Sequence, residues 1–570
     1  MKLYKLNLIL FIVPFMLSSC SGRWVREHVT FQYVDPLEKV FLETNIFRER
    51  EASLHVARGE HASLQFVYRS TEHTRGLSVK VHPPAMEDKT LVKPKAGFVG
   101  YVPVGRATPM PTSRDRIHSI SGFYPDPIIP AEKKDIDPSV SQPIWVTIPI
   151  PTDAEPGTYT GKVTIRGRSG GKRVKRSELF TIRVYEPVVE KTSLWVTNWF
   201  SLERFHHMNK GEPVEEYSDL YWEYTRKLAR KMAEYRQNVA RISPLRMAEY
   251  TINDSLRYEI DFTRFNRAVK IFQEEGVLGR IEGGHIGARD SNWSSPFVVF
   301  VPVQKPDTLE MEKFSIQNDT ARIFYEQFFR QLTENLEKNS WKDIYMQHLA
   351  DEPIEPNMDS YIEIARFVKD RIPEIPIVEA CHTRNLDSTV NVWVPQLNFL
   401  HTDYDFYKER MEKGDEVWFY TCLAPKGDYA NRFLDLPLLK TRILHWINFK
   451  YNSPGYLHWG FNQWRCKDVY KETTFINKES GNVLPAGDAW IVYPGNGEIY
   501  SSIRLEAMRD GIVDYELLKM LAEKDEEIAR ELARRVVFRF TVYEMDIDGF
   551  RSIRRKILEL LSGSGEVQLD

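Results

Sequence analysis

Between about residues 24 and 190, apolar and polar residues alternate in short runs separated by turn formers. ASLQFVYRS (62–70), LSVKVHPP (77–84), PIWVTIPIP (143–151), GTYTGKVTI (157–165) and ELFTIRVYEP (178–187) carry the pattern. A period of two, rich in β-branched and aromatic residues, predicts strands with one buried and one wet face. Pro156 and Gly157 mark a turn, Gly167, Gly170 and Gly171 suit a hairpin turn, and Pro187 closes the last run. The region 24–190 is therefore predicted as an all-β sandwich.

Past residue 190 the period changes. Strand-like runs recur at 193–200, 238–243, 279–286, 343–350, 375–382, 391–397, 416–423 and 455–461, with amphipathic helical patterns between most of them. The helices include YSDLYWEYTRKLARKMAEYR (217–236), ARIFYEQFFRQLTENLEK (321–338), SYIEIARFVKDR (360–371) and DLPLLKTRILHWINFK (435–450). Strand and helix alternating eight times predict a (β/α)8 TIM-like barrel over 191–465. The tail, 466–570, reads as a small helical and β extension packed on the barrel, opening its main helix at SIRLEAMRDGIVDYELLKMLAE (502–523). A chain of 570 residues is in any case too long for one core, since single cores stop growing at roughly 250–300 residues.

The first residues stand apart. MKLYKLNLILFIVPFMLSSC has Lys2 and Lys5 followed by an apolar stretch too short to span a bilayer, which predicts an export signal over 1–20. Leu17-Ser18-Ser19-Cys20 resembles a bacterial lipobox, implying cleavage before Cys20 and a lipid on its thiol. Ser21 lacks the aspartate associated with inner-membrane retention, so the expectation is an outer-membrane lipoprotein of the cell envelope. A net charge of −3 without any extended Lys/Arg block argues against nucleic acid. Cys381, Cys422 and Cys466 are too few and too scattered for a disulfide framework, and no ligand spacing supports a metal or another cofactor.

Candidate chemistry sits in MQHLADEP (346–353), where Asp351 and Glu352 follow the fourth strand pattern. Barrel enzymes place their reacting groups where strands end and βα loops begin. A bland alternative makes Asp351 the cap of a short helix with Glu352 and Pro353 in its first turn. Paired carboxylates suit glycoside hydrolysis, but flanking a sugar needs separations of about 5 Å or more, on opposite faces, which adjacent residues do not readily reach. EVWFYTCLAP (416–425) offers no acidic residue beyond Glu416 to act as partner. Substrate assistance removes that need, because the sugar's 2-acetamido oxygen attacks C1. Glu352 then serves as acid and base, a role favoured by a raised pKa, while Asp351 orients the acetamido group. Both can converge only if the strand has ended or bulged there. Glu379 and Glu282 remain rival nucleophiles for a conventional retaining glycosidase, and a non-catalytic glycan-binding lipoprotein is a third reading.

HLADEP, WFYTCLAPKGDYANRFLD (418–435), GYLHWGFNQW (455–464) and SIRLEAMRDGIVDYELL (502–518) together resemble glycoside hydrolase family 123, and IWVTIPIPTDAEPGTYTGKVTI (144–165) fits that family's leading β domain. The resemblance implies a retaining, exo-acting β-N-acetylgalactosaminidase that uses substrate assistance on glycolipid or other glycans ending in β-GalNAc, with Asp351 and Glu352 catalytic and no cofactor. Tyr420 could then bond the acetamido oxygen, and Trp459 and Trp464 could stack on the sugar. Trp199, His285, His348, Asn431 and Asn462 are candidate hydroxyl ligands, whereas Arg504 and Asp514 read as ionic struts.

Overall fold

The computed structural model describes residues 28–563 apart from 107, 109–120, 131, 254–255, 387–388, 475 and 477–480. The export segment 1–20 and the lipid-bearing candidate Cys20 lie outside the described residues.

The alternating region folds as two mostly antiparallel sheets. One orders Val29–Val34, His61–Ser70, Ser141–Pro149, Lys95–Val104 and Gly122–Ile129; the other orders Ser53–Arg58, Lys172–Val188, Gly157–Ser169, Thr74–Met86 and Lys89–Thr90, with Lys134–Ile136 also on Thr74–Met86. In Gly157–Ser169, Tyr159, Val163 and Ile165 are buried while Thr158, Thr160 and Lys162 face water. The buried set joins Leu64, Phe66, Ile144 and Val146 of the other sheet in one apolar cluster, each side chain contributing about 1.5–3 kcal/mol of transfer free energy. Ser169 pairs with Lys172 across Gly170 and Gly171, both at positive φ, as a two-residue hairpin turn requires.

All eight later strand patterns form strands: β1 Trp195–Asn198, β2 Val239–Arg241, β3 Arg280–Gly283, β4 Tyr345–His348, β5 Ile377–Cys381, β6 Val392–Pro395, β7 in two pieces, Glu416–Val417 and Phe419–Tyr420, and β8 Gly455–His458. β2 through β6 and the first piece of β7 form one parallel ladder in chain order, and β8 sits between β1 and the second piece of β7. Trp418 N–H donates to Trp393 O at 2.8 Å, and Asn238 N–H to Val196 O at 3.4 Å, so backbone bonds also tie β7 to β6 and the start of β2 to β1. β4, β5, β6 and β8 are buried along their whole length, as parallel strands covered on both faces must be. Helices Asp219–Glu234, Thr263–Glu274, Asp319–Lys338 and Met358–Arg371 fill the first four connections, whereas the described part of the β5–β6 link is loop. The β3–β4 connection adds an antiparallel sheet of Gly287–Arg289, Phe297–Gln304 and Leu309–Phe314, which the hydrophobic pattern did not predict.

The tail's main helix, Ile503–Lys524, is buried on nearly every side. Its polar residues are matched rather than hydrated. Arg504 donates to Asp126 of the first sheet at 2.7 and 2.9 Å, and Asp514 accepts from Arg442 and Arg554 at 2.6–3.0 Å. Burial pushes the Asp514 carboxyl up, but the two guanidinium groups outweigh it and hold it at about 2. Removing one partner of such a buried pair typically costs about 3–5 kcal/mol, so this helix locks the leading sheets to the parallel strands.

Candidate active site

β4 ends at His348, and the next two residues leave the sheet. The N–H groups of Leu349 and Ala350 donate to Glu379 Oε2 at 3.3 and 3.1 Å instead of to a neighbouring strand. Glu352 then takes φ +50°, a left-handed conformation that costs a non-glycine residue of the order of 1–2 kcal/mol. Two bonds hold it there: Arg289 Nη2 to the Glu352 carbonyl at 2.6 Å, and His382 N–H to the Pro353 carbonyl at 3.3 Å. The up-down alternation of the strand is thereby broken at the carboxylate pair. The next helix starts only at Met358, after a single turn at Glu355–Asn357 that is flanked by Ile354, so Asp351 is not its cap.

Glu352 sits in a cage of donors. Tyr420 donates its hydroxyl to Glu352 Oε1, and His382 Nε2 stands 3.1 Å from the same oxygen and 2.6 Å from the Tyr420 hydroxyl. Gln396 Nε2 donates to that hydroxyl at 3.3 Å. The Glu352 side chain keeps 18% of its surface open, so the cage has a mouth. Burial works to raise its pKa, but the bonds from His382 and Tyr420 prevail and hold it below the usual range. Asp351 goes the other way: burial, then the charges of Glu352 and Glu379, push it up to about 7. The expected raised carboxyl is thus Asp351 rather than Glu352. The reason is local, since Glu352 owns the hydrogen-bond donors and Asp351 feels the repulsion.

Beneath the pair lies a closed ionic row. His348 places Nε2 3.1 Å from Glu282 Oε1 and Nδ1 2.9 Å from Glu379 Oε1, all three side chains having no exposed surface. Burial alone would lower His348, yet Glu379 and Glu282 hold it at about 9. Glu282 also accepts from Trp199 Nε1 at 2.7 Å and Thr197 Oγ1 at 2.8 Å. Both rival nucleophiles are therefore committed to His348 and inaccessible to a sugar. His285 packs edge-on against His348 and Trp199, and Arg241 lies over Trp199 with Nη2 3.3 Å from His285 Nδ1. Among the described residues, His285, His348 and Glu379 are grouped closely enough to hold a metal ion, their ligand atoms within 4.8 Å. The donor chemistry is wrong for one: both His348 nitrogens face carboxylates, and a guanidinium borders His285.

Of the other predicted sugar contacts, Trp459 is half-buried and donates Nε1 to Asp488 Oδ2 at 3.1 Å. Asp488 is itself buried and pushed up to about 7. Trp464 is fully buried, its Nε1 bonded to Val492 O at 3.0 Å, which makes it core rather than platform. Asn462 clamps the Ser201 backbone through both amide atoms at 2.9 Å, and Asn431 clamps the Cys422 and Pro425 carbonyls at 3.0 Å. Both side chains are fully buried, so neither amide is open to a sugar hydroxyl. Sequence reasoning passed over His382, Arg289 and Trp293. His382 directly follows β5 and could have been found by its address; Arg289 and Trp293 lie in the unpredicted insertion and carried no such signal.

Residues 199–521 match the family model described as glycoside hydrolase 123, catalytic domain, and residues 43–167 match that of the glycoside hydrolase 123 N-terminal domain. A comparison with the curated proteins finds no match. The structure of a family 123 glycoside hydrolase from Clostridium perfringens, described for glycolipid glycan hydrolysis, aligns at 14% identity with a TM-score of 0.72, over 94% of this chain and 97% of that one. That likeness bears on the fold. A β-glucuronidase from Parabacteroides merdae (12% identity, 76% and 47% covered, TM-score 0.25) and a GH10 xylanase from Thermobacillus composti (8%, 56% and 97%, TM-score 0.30) align too weakly to carry weight.

Proposed function

The chain belongs to glycoside hydrolase family 123, and on that premise we propose that it is an exo-acting, retaining β-N-acetylgalactosaminidase that works by substrate assistance on glycans ending in β-GalNAc. The observation that carries this reading is the adjacent pair itself: one carboxyl held ionised by Tyr420 and His382, the other retaining a proton to about pH 7, while Glu282 and Glu379 are locked on His348. We read the eight parallel strands as a (β/α)8 barrel behind a leading β-sandwich, with domains at 24–190, 191–465 and 466–570. Residues 1–20, on their sequence alone, are proposed as a lipoprotein signal that leaves Cys20 to anchor the chain in the outer membrane.

In the free enzyme the pair holds one proton near neutrality, on Asp351, and the reaction needs it on Glu352. Substrate would move it. An acetamido N–H presented to Asp351 stabilises the ionised form there. Tyr420, turning its hydroxyl to the acetamido oxygen, withdraws one of the bonds that keep Glu352 low. Both changes shift the proton toward Glu352 without altering the pair's total charge.

The steps then balance. The acetamido oxygen forms a bond to C1, the glycosidic C1–O bond breaks, and the leaving oxygen takes the Glu352 proton. Asp351 accepts the N–H bond of the cationic ring and stabilises its charge. Water next adds to C1, gives a proton to Glu352, and the ring C1–O bond opens to restore the amide. Two inversions at C1 give retention.

The test compares the aryl β-glycosides of GalNAc, GlcNAc and Gal on the purified chain. The galactoside, which lacks an acetamido group, should be refractory. Cleavage of it as fast as the GalNAc glycoside would overturn the assisted mechanism.

A further inference from the structure

One face of the leading domain is cationic by register. In Gly157–Ser169, Lys162, Arg166 and Arg168 are exposed and alternate with the buried Val163 and Ile165, so they share the outward side of their sheet. Arg168 stands opposite Arg75 of Thr74–Met86 on one flank and Arg173 of Lys172–Val188 on the other. Arg166 stands opposite Lys175, and Thr164, on the same side, opposite Lys80. All of these cations are exposed. The remaining partners in that outward register are Ser78, His82, Ser177 and Leu179, none of them acidic. Among the described residues no carboxylate forms an ion pair with any of these lysines and arginines. Asp135 borders the row and accepts from Gly76 N–H at 2.7 Å. Partial burial, then the charges of Lys80, Lys162 and Arg166, lower the His82 pKa, so the positive charges add at one place. Like charges directly opposite one another weaken a sheet. The whole chain has a net charge of only −3, which makes this concentration local, and its counter-ions must come from outside the sheet.

The chain enters the domain at the same end. Thr71 N–H donates to the His28 carbonyl at 3.1 Å, and Val29 pairs with Ser70. Ser70 Oγ lies 2.7 Å from the hydroxyl of Ser169, the residue after Arg168, and Gly170 N–H donates to the His73 carbonyl at 3.1 Å, two residues before Arg75. Only residues 21–27 separate Cys20 from His28, and a stretch of that length reaches at most roughly 30 Å. A lipid on Cys20 keeps this end of the domain within that distance of a bilayer. A tether sets distance and leaves orientation free, whereas a cationic face beside it decides which side of the body turns to the headgroups.

We propose that the Arg75–Arg168–Arg173 row and its neighbours dock on the phosphate groups of an anionic phospholipid surface and so orient the chain on its membrane. The orienting role rests on the reading of Cys20 as lipidated; the docking face does not.

The experiment uses the chain from Ser21 onward, which keeps every described residue and lacks the export segment and the lipid. It is sedimented with vesicles of phosphatidylcholine alone and with vesicles containing about one third phosphatidylglycerol. Binding should occur on the anionic vesicles only and should weaken as salt is added, because added ions screen exposed charges. The triple variant Arg75→Gln, Arg168→Gln, Arg173→Gln should lose about 100-fold in partitioning, and the matching triple lysine variant should keep most of it. The glutamine variant should melt no lower than the wild type, since it removes opposed charges. Equal binding by wild type and glutamine variant, or none to the anionic vesicles, overturns the docking face and leaves the Cys20 reading intact. Binding to heparin without binding to the vesicles overturns it too, and assigns the face to a soluble polyanion. A Cys20 without lipid in chain recovered from cells overturns the orienting role alone.

Discussion

Tyr420 donates its hydroxyl to the Glu352 carboxylate, from a strand three positions around the ladder from the one that ends at the pair. With His382 2.6 Å from that hydroxyl, the acid of the reaction is held in its ionised form until something replaces the tyrosine's bond. Tyr420→Phe therefore removes a force that lowers the Glu352 pKa in the free enzyme. The acid limb of the kcat/KM profile should move to higher pH, with a loss of about 10–100-fold at the optimum for the missing acetamido contact. A pH series of kcat/KM on an aryl β-GalNAc reads both effects; an acid limb that stays in place contradicts the cage.

Glu352→Gln keeps the side chain's shape and removes its proton. The rate on glycosides with alkoxide leaving groups should fall by about 10²–10⁴, and by much less on activated aryl glycosides, which leave without help. Asp351→Asn should instead cost about 10²–10³ irrespective of the leaving group, because the charge it stabilises develops on the sugar. The two leaving-group series, plotted side by side, should therefore have different slopes.

The shared proton sets the basic side of the profile. With Asp351 pushed up to about 7, the pair loses its last proton near that pH, and kcat/KM should fall about tenfold for each pH step of one above it. A plateau extending past about pH 9 in the wild type would show that the pair does not hold this proton.

His348 contributes to stability with the opposite window. Its folded pKa of about 9 lies above the ordinary value of 6.5, so its contribution is complete below 6.5 and is lost as the pH rises through 9. The loss is of the order of 3 kcal/mol, because a tenfold difference in proton affinity between the folded and unfolded chain is worth about 1.4 kcal/mol. Urea unfolding between about pH 6 and 10 should show the decline in the wild type, and His348→Gln should flatten it while lowering stability at the acid end. Asp351 adds a decline of the same sign only up to about pH 7, so the His348 contribution is read from the difference between the wild type and His348→Gln above that pH.

The pair Asp351–Glu352 was legible because its address, directly after the fourth of eight strand patterns, follows from chain order alone. The eight strands were legible too, since parallel strands buried on both faces read as short apolar runs. Trp464, Asn462 and Asn431 carry residue types that bind sugars, yet their polar atoms are used by backbone groups that come from elsewhere in the chain. Glu282 and Glu379 have the composition of nucleophiles, and only their closure on His348 disqualifies them.

Residue order and hydrophobic period determined which segments become strands, where the leading β region gives way to strand–helix alternation, and which two carboxylates stand at a strand end. The folded chain decided which carboxyl holds the proton, because that depends on donors from β7 and the end of β5, and on the Glu379 charge within β5, tens of residues away. It also decided that Arg289, from an unpredicted insertion, holds the Glu352 carbonyl. Periodicity is a property of neighbours along the chain, whereas pKa and exposure are properties of neighbours in space.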